Sequence, residues 1–399
     1  METNKKVLVF IPEFPVLTET FIERELSKLV ERNNVDLVVF SLKKGTGHLS
    51  ENLRTKVLYQ RLGFPDIFGI LKYTFSHFDK ISKIYGDLKP GSHNRLFLIL
   101  KSIGYSLKFA IQKPDLILSH FLSEPSTIAM ISSEILGVPF AISAHARDVT
   151  VTYEYAEKKA GEAKFITVCN KSAYYFLLNL LGGNNPGNVY LNYHGVDSGR
   201  VMREALGGIK RPDKYLILSV GRLTEKKGFS YLIDTAKILK DRGLDFVCYI
   251  VGFGPLYQDL KRQISDLDLE EQVKILGENK GLSNSETLGL MKVSDVFVLS
   301  SIQTAEGDVD GIANVLLEAG ALSLPIVATD AGSTCELISD GETGLVVPQR
   351  HPNAIANAVE MLLTDKSFAS NLCKNAYARV ISGFDSSANI VKLEELINQ

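Results

Sequence analysis

The feature that most constrains this chain is an alternation, sustained almost from end to end, of short uninterrupted apolar runs and longer amphipathic segments. Val7–Ile11, Val35–Ser41, Leu116–Ser119, Phe140–Ser143, Phe165–Val168 and, more weakly, Val189–Leu191 form a first series. Runs without polar alternation are what parallel strands covered on both faces require. Between them lie segments of helical period such as Ser126–Leu136 and Phe21–Arg32, the latter with Glu23, Arg24 and Lys28 on its wet side. A second series follows: Tyr215–Val220, Phe246–Val251, Val273–Leu276, Val296–Leu299, Pro325–Thr329 and Gly344–Val347. Helices are predicted between these at Ser230–Asp241, Leu256–Leu267, Ser285–Met291, Val315–Leu322 and Ala354–Leu363. Two tandem runs of βαβ units predict an α/β chain with two Rossmann-like, doubly wound domains.

Length agrees with this division. The 399 residues exceed the roughly 250–300 at which a single core stops growing. The joint is expected after His194-Gly195-Val196-Asp197, where Gly207-Gly208-Ile209-Lys210-Arg211-Pro212 is rich in breakers. This places a first domain at residues 1–205 and a second at 206–375. A C-terminal helix over 376–399 is expected to return to the first domain.

A formal net charge of −2 gives no global basicity of the kind nucleic-acid binders carry, so no nucleic-acid partner is expected. The charge is uneven instead. Residues 53–113 hold eleven basic side chains against three acids, with Phe64, Phe68, Tyr73, Phe75, Phe78, Tyr85, Phe97 and Tyr105 interleaved. Such a stretch fits peripheral contact with an anionic membrane, contact with a negatively charged acceptor, or a solvated helical face over core aromatics. Cys169, Cys248, Cys335 and Cys373 lie far apart, with no CxxC pair and no accompanying histidine cluster. Free thiols are therefore expected, and no metal. The apolar start at Val7–Ile11 is too short before Pro12 for a signal peptide, and Lys101 and Lys108 interrupt the longest apolar stretch. These features predict a cytoplasmic protein.

Ligands of open α/β sheets bind beyond the carboxyl ends of the strands, so the chemistry is expected in strand-to-helix loops facing a cleft. The loop Gly221-Arg222-Leu223 through Lys227-Gly228 follows a predicted strand and opens a helix. Arg222 and Lys227 there can neutralise a diphosphate, with backbone amides assisting. Asp310-Gly311-Ile312-Ala313-Asn314, ending at Glu318, runs from a loop into a helix. Its amides can meet an anion, and its carboxylates can accept hydrogen bonds from sugar hydroxyls. The simpler reading has Asp310 as a helix cap and Glu318 on the surface. Gly252 and Gly254, after another strand, permit close approach of a nucleotide to the backbone. In the first domain, His120 and His145 each fall at the end of a strand, where a histidine can hydrogen-bond the transferred sugar or serve a structural role. Asp308-Val309-Asp310 is a DxD string of the kind that holds a divalent cation, but Arg222 and Lys227 already supply positive charge, so metal independence is expected.

Together these segments resemble the retaining glycosyltransferases of family 4, which have the two-domain GT-B fold. The family's G-R-L-x-x-x-K-G pattern corresponds to Gly221–Gly228, and its E-x7-E motif to Asp310–Glu318. Glu318–Ala328 is similar to E-A-x-A-x-G-x-P-V-V-A, and Gly341–Pro348, with Asp340 in front, to the D-G-x-x-G-x-L-V-x-P ending. The resemblance implies that Arg222 and Lys227 bind the donor diphosphate, Glu318 the ribose, and Asp310 the transferred sugar near its anomeric centre. Phe14-Pro15 through Thr18-Glu19-Thr20-Phe21-Ile22 is similar to F-P-x-x-S-E-T-F-I. That string marks a branch acting on exopolysaccharide and colanic-acid-like glycans. It implies an acceptor-side role for Thr18, Glu19 and Thr20, with His120 expected beside them from its strand-end position. His145 matches the family's histidine in the acceptor-side loop and is expected, with Asp310, to be catalytic.

A hexosyl transferase is therefore expected, drawing on a UDP-sugar first and a GDP-sugar second, and acting on a glycan or lipid-linked acceptor. Front-side displacement is the mechanism the family implies, and no cofactor is needed. Three departures stand out: Asp310 for Glu, Ala313 for Pro, and Ser323 for Gly. The first, one methylene shorter, keeps open a non-catalytic nucleotide-sugar-binding relative beside the transferase reading. An epimerase on the same fold is also open, whereas a phosphorylase lacks its pyridoxal-binding lysine motif here.

Overall fold

The computed structural model describes residues 4–16, 19–88, 94–205, 209–278 and 280–399, apart from the side chains of residues 146 and 147. Thr18, Lys89, Gly207 and Gly208 of the sequence reading lie outside the described residues. The chain forms two compact units. One comprises Met1–His194 with Ser387–Gln399, the other Gly195–Ser386.

The first unit is built on a seven-stranded sheet in the order β3-β2-β1-β4-β5-β6-β7. Its strands are β1 (Lys5–Phe14), β2 (Val35–Lys44), β3 (Val57–Tyr59), β4 (Leu116–His120), β5 (Phe140–Ala144), β6 (Ile166–Val168) and β7 (Val189–Leu191). All pair in parallel. Alternate residues of β1 divide between two cores: Leu8 and Phe10 join Phe40, Phe109 and Ile142 on one face. Val7, Val9 and Ile11 join Leu26, Leu118 and Phe165 on the other. Burial on both faces is why the run carries no polar alternation. Only β3, a three-residue edge strand with no fully buried position, is absent from the sequence reading. Glu23 also differs from expectation: it is buried and accepts a 3.0 Å hydrogen bond from the Ser50 amide.

The second unit holds a six-stranded parallel sheet in the order β10-β9-β8-β11-β12-β13. Its strands are β8 (Tyr215–Val220), β9 (Phe246–Val251), β10 (Val273–Leu276), β11 (Val296–Leu299), β12 (Ile326–Thr329) and β13 (Leu345–Val347). Each falls within a residue of its predicted run.

The unit boundaries differ from 205 and 375. Helix Ser198–Glu204 belongs to the second unit, because Asn284 Nδ2 donates to Glu204 Oε2 at 2.7 Å and Ser285 Oγ to the Glu204 carbonyl at 3.1 Å. Residue 375 falls inside helix Lys366–Gly383. Only the last helix, Ser386–Asn398, leaves, and Ile390, Leu393, Leu396 and Ile397 complete a core of the first unit. Arg32 Nε meets Glu394 Oε2 at 2.5 Å beside it. At the crossing, Val196 bridges Asp385 in parallel, with Val196 N donating to Phe384 O at 2.8 Å. Among the described residues no helix is long and apolar enough to cross a membrane.

Candidate functional site

In the second sheet the strand order reverses between β8 and β11. Loops leaving these two neighbours diverge, which opens a crevice at their carboxyl ends. Residues 221–228 and 300–313 are those two loops. Two contacts tie them together: Ser300 Oγ donates to the Lys227 carbonyl at 3.0 Å and Ile302 N to the Lys226 carbonyl at 2.8 Å, while Ser219 Oγ of β8 donates to the Val298 carbonyl of β11 at 2.6 Å beneath them. Gly228 is required at the turn: its φ is +60°, and a Cβ there would sit 2.0 Å from the Ser300 carbonyl oxygen.

Charge converges at this point. Lys227 Nζ donates to Asp310 Oδ2 at 2.7 Å, and Ser301 Oγ donates to the same oxygen at 3.0 Å. Lys226, which the sequence reading passed over, reaches Asp308 at 3.2 Å and Asp310 at 3.6 Å. Burial pushes the Asp310 carboxyl up, but Lys227, Lys226 and Ser301 outweigh it and hold the group below the usual carboxylate range. The ammoniums of Lys226 and Lys227 thus engage both carboxylates of the DxD string. Asp310 does not cap the following helix. That helix, Asn314–Ala321, has Ala313 at its N-cap and no capping side chain, so its first amides are available to an anion. Gly311 and Ile312 lead into it, and Glu318 is buried on its second turn. The surface reading of Glu318 is therefore corrected. Arg222 is exposed at the start of the 221–228 loop.

The glycines also have a packing use. A Cβ on Gly252 would sit 1.9 Å from the Gly221 carbonyl oxygen, and one on Gly254 would sit 2.6 Å from that of Leu223. Both let the loop after β9 lie directly on the loop after β8. Gly221 leaves room for the Lys227 stem, whose Cδ would be 3.2 Å from an added Cβ.

In the first unit the corresponding reversal lies between β1 and β4. Here His120 and His145 are brought together with a third histidine, His194, which follows the weak strand β7. His120 Nδ1 is 3.3 Å from His145 Nε2, and His145 Nδ1 is 3.0 Å from His194 Nε2. Glu25 closes the ring, at 3.9 Å from His120 Nε2 and 3.8 Å from His194 Nδ1. Burial pushes His120 down to about 4. It also holds His145 well below its ordinary value, with His194 and His120 adding to the fall. Burial opposes charge on His194 too, but Cys169 and Glu25 outweigh it and lift the group to about 9. His194 is thus the member of the chain that most readily holds a proton, and the Glu25 carboxylate faces both ends of the chain.

The surrounding residues hold this ring in place. Phe21 stacks on His194 with centroids 4.1 Å apart and meets His145 at 4.9 Å. The Glu19-Thr20-Phe21 segment at the start of helix Thr20–Arg32 is thereby placed beside the histidines. Asp148, raised to about 7 by burial against its backbone hydrogen bonds, accepts from the His145 amide at 2.9 Å and from the Leu122 amide. Cys169 lies within the same cluster, which corrects the expectation that no histidines accompany a cysteine. Linear spacing gave no sign of it. The available signal was that three of seven histidines follow strands at their carboxyl ends.

Two parallel Rossmann-like sheets, the second with a basic switch-point loop and an uncapped helix facing it, define the GT-B class. Residues 207–379 match the family described as glycosyl transferases group 1. The chain is 34% identical over 183 residues to the amylovoran biosynthesis glycosyltransferase AmsK of Erwinia amylovora, covering 46% of this chain and 44% of that protein. It is 30% identical over 217 residues to WcaL of Salmonella typhimurium, assigned to colanic acid biosynthesis, covering 54% and 52%. The matches thus span about half the length of these curated relatives. A crystal structure of a glycosyltransferase from Rickettsia africae superposes with a TM-score of 0.74 at 16% identity, covering 99% of this chain and 98% of that one. Anabaena HepE in complex with UDP gives 0.69 at 17% identity, covering 99% of each. At these identities the two structures speak for the fold.

Proposed function

We propose that this protein is a retaining glycosyltransferase that moves a hexosyl group from a nucleotide sugar, a UDP-sugar first, to a glycan or lipid-linked acceptor of a surface polysaccharide. The observation that carries the reading is the Lys227–Asp310–Ser301 constellation at the β8/β11 reversal, beside the uncapped Asn314–Ala321 helix. Lys227, Arg222 and the helix amides receive the diphosphate, and Glu318 accepts from the ribose. Asp310 faces the transferred sugar. When a donor enters, its diphosphate competes with Asp310 for the Lys227 ammonium, which frees a carboxylate oxygen for a sugar hydroxyl. The leaving diphosphate takes the acceptor's proton while these cations hold its charge, so electrostatic stabilisation supplies most of the rate. His145, neutral and hydrogen-bonded on both nitrogens, orients the acceptor side.

The test is a thermal-shift screen of UDP, GDP and their sugars, since a bound ligand raises stability with the logarithm of its saturation. UDP is expected to stabilise the wild type, Glu318→Ala to lose that shift, and Asp310→Ala to keep the shift while losing turnover. Full turnover by Asp310→Ala would remove its proposed role.

We also propose peripheral attachment to an anionic membrane at the cytoplasmic face, through the basic stretch. Helix Asp66–Ser76 has no buried residue, and Phe64, Phe68, Leu71 and Phe75 follow one another at helical spacing, all exposed. Phe78 and Phe97 are exposed beyond it, and Arg61, Lys72 and Lys83 are exposed in the same stretch. Vesicles containing phosphatidylserine should bind the protein, and salt should weaken the binding. Phe68→Ser with Phe75→Ser should cut it at least tenfold, each ring contributing about 2 kcal/mol when buried in lipid. Equal binding to neutral vesicles, or none at low salt, contradicts the proposal.

A further inference from the structure

The transfer reading uses His145 and leaves Cys169 and His194 without a task. One donor atom from each of His145, Cys169 and His194 lies within 4.8 Å of the other two. His145 Nδ1 and His194 Nε2 face each other at 3.0 Å, near the roughly 3.3 Å that separates two nitrogens on one tetrahedral zinc ion. Two imidazole nitrogens and a thiolate suit a borderline-soft divalent cation. The outward nitrogens also match such a site. His145 Nε2 is directed at His120 Nδ1, 3.3 Å away, and His194 Nδ1 at Glu25 Oε2, 3.8 Å away. Outer partners of this kind fix the tautomer and orientation of ligating imidazoles. His194 Nδ1 and Glu25 Oε1 are buried with no hydrogen-bond partner, so a small tightening of this outer shell would satisfy groups that now go unmet.

We propose that His145 Nδ1, His194 Nε2 and Cys169 Sγ form a binding site for a zinc-like divalent cation, with its fourth position open to water or a substrate oxygen. The cation replaces the proton shared by His145 and His194 and displaces the thiol proton, so binding releases protons and tightens as pH rises. The site belongs to the first unit and the donor-binding residues to the second, and its existence does not depend on the transfer reading.

The probe is Co²⁺ added to the full-length protein. One equivalent should produce tetrahedral d–d bands and a thiolate charge-transfer band, both displaced by Zn²⁺. Cys169→Ser, nearly isosteric, should remove the charge-transfer band and weaken binding more than about tenfold, whereas Cys335→Ser, at an exposed thiol, should change neither. Glu25→Gln should weaken binding by about tenfold while the thiolate band remains. A spectrum without the thiolate band, or one that survives Cys169→Ser, overturns the site. Absorbance reports metal alone, so this failure is distinguishable from failure of sugar transfer.

Discussion

Lys227→Ala is expected to lower kcat/KM for sugar transfer by about 10²–10³-fold, the usual cost of losing one charged partner of a leaving group. The side chain is fixed before any donor arrives. Its stem lies over Gly221, and its ammonium sits 2.7 Å from Asp310. Removing it also strips Asp310 of its main cation, leaving Lys226 at 3.6 Å. The Asp310 carboxyl, which burial pushes up and the lysines hold down, should then titrate higher than in the wild type. The sign for stability follows. A depressed carboxyl stabilises the fold above its unfolded value and loses that contribution as pH falls through the folded one. Lys227→Ala should therefore soften in mild acid before the wild type does. Steady-state kinetics with a nucleotide sugar, paired with acid unfolding of both proteins, measures each part. Activity within about threefold of wild type would mean that Lys227 does not hold the leaving group.

The second large effect concerns stability. Lys159→Ala is expected to destabilise the first unit by roughly 2–5 kcal/mol, since two carbonyls lose their donor in a closed interior. Lys159 is fully buried and donates to the carbonyls of Leu122 and Ser123, the latter at 3.0 Å. Those residues belong to the loop that follows β4 and its last residue, His120. Thermal denaturation should show a drop on the order of 10 °C. Burial lowers the Lys159 ammonium to about 7 against the pull of Glu154 and Asp148. Between about 7 and its ordinary value the unfolded chain binds the extra proton, so this group's contribution to stability rises with pH there. The variant should lose that rise, and an unchanged pH dependence would show that Lys159 does not titrate in the fold.

The strands were legible because a parallel sheet covered on both faces leaves nothing polar in its runs. Strand β3 was not, since three residues at a sheet edge with none fully buried carry no such pattern. Charged loop residues were legible where residue type and strand position coincide, as at Lys227 and Asp310, which the fold pairs at 2.7 Å. What joins Lys226 to Asp308, or His145 to His194 and Cys169, is tertiary proximity across 82, 49 and 24 positions of chain, and no local period reports it. Glycine was legible as necessary, but its packing use was not: Gly252 lets its loop lie on a neighbouring one. The boundary near residue 205 was drawn at breakers, whereas the contacts of Glu204 with Asn284 and Ser285 place its helix in the second unit.

The last helix, Ser386–Asn398, supplies Ile390, Leu393, Leu396 and Ile397 to a core that otherwise comes from the first 190 residues. During synthesis the strands of the first unit therefore emerge long before the helix that completes their core. Until Ser386–Asn398 has left the ribosome, the core around Leu26 and Phe165 lacks Ile390, Leu393, Leu396 and Ile397, and the growing chain presents an apolar seam of the kind chaperones hold.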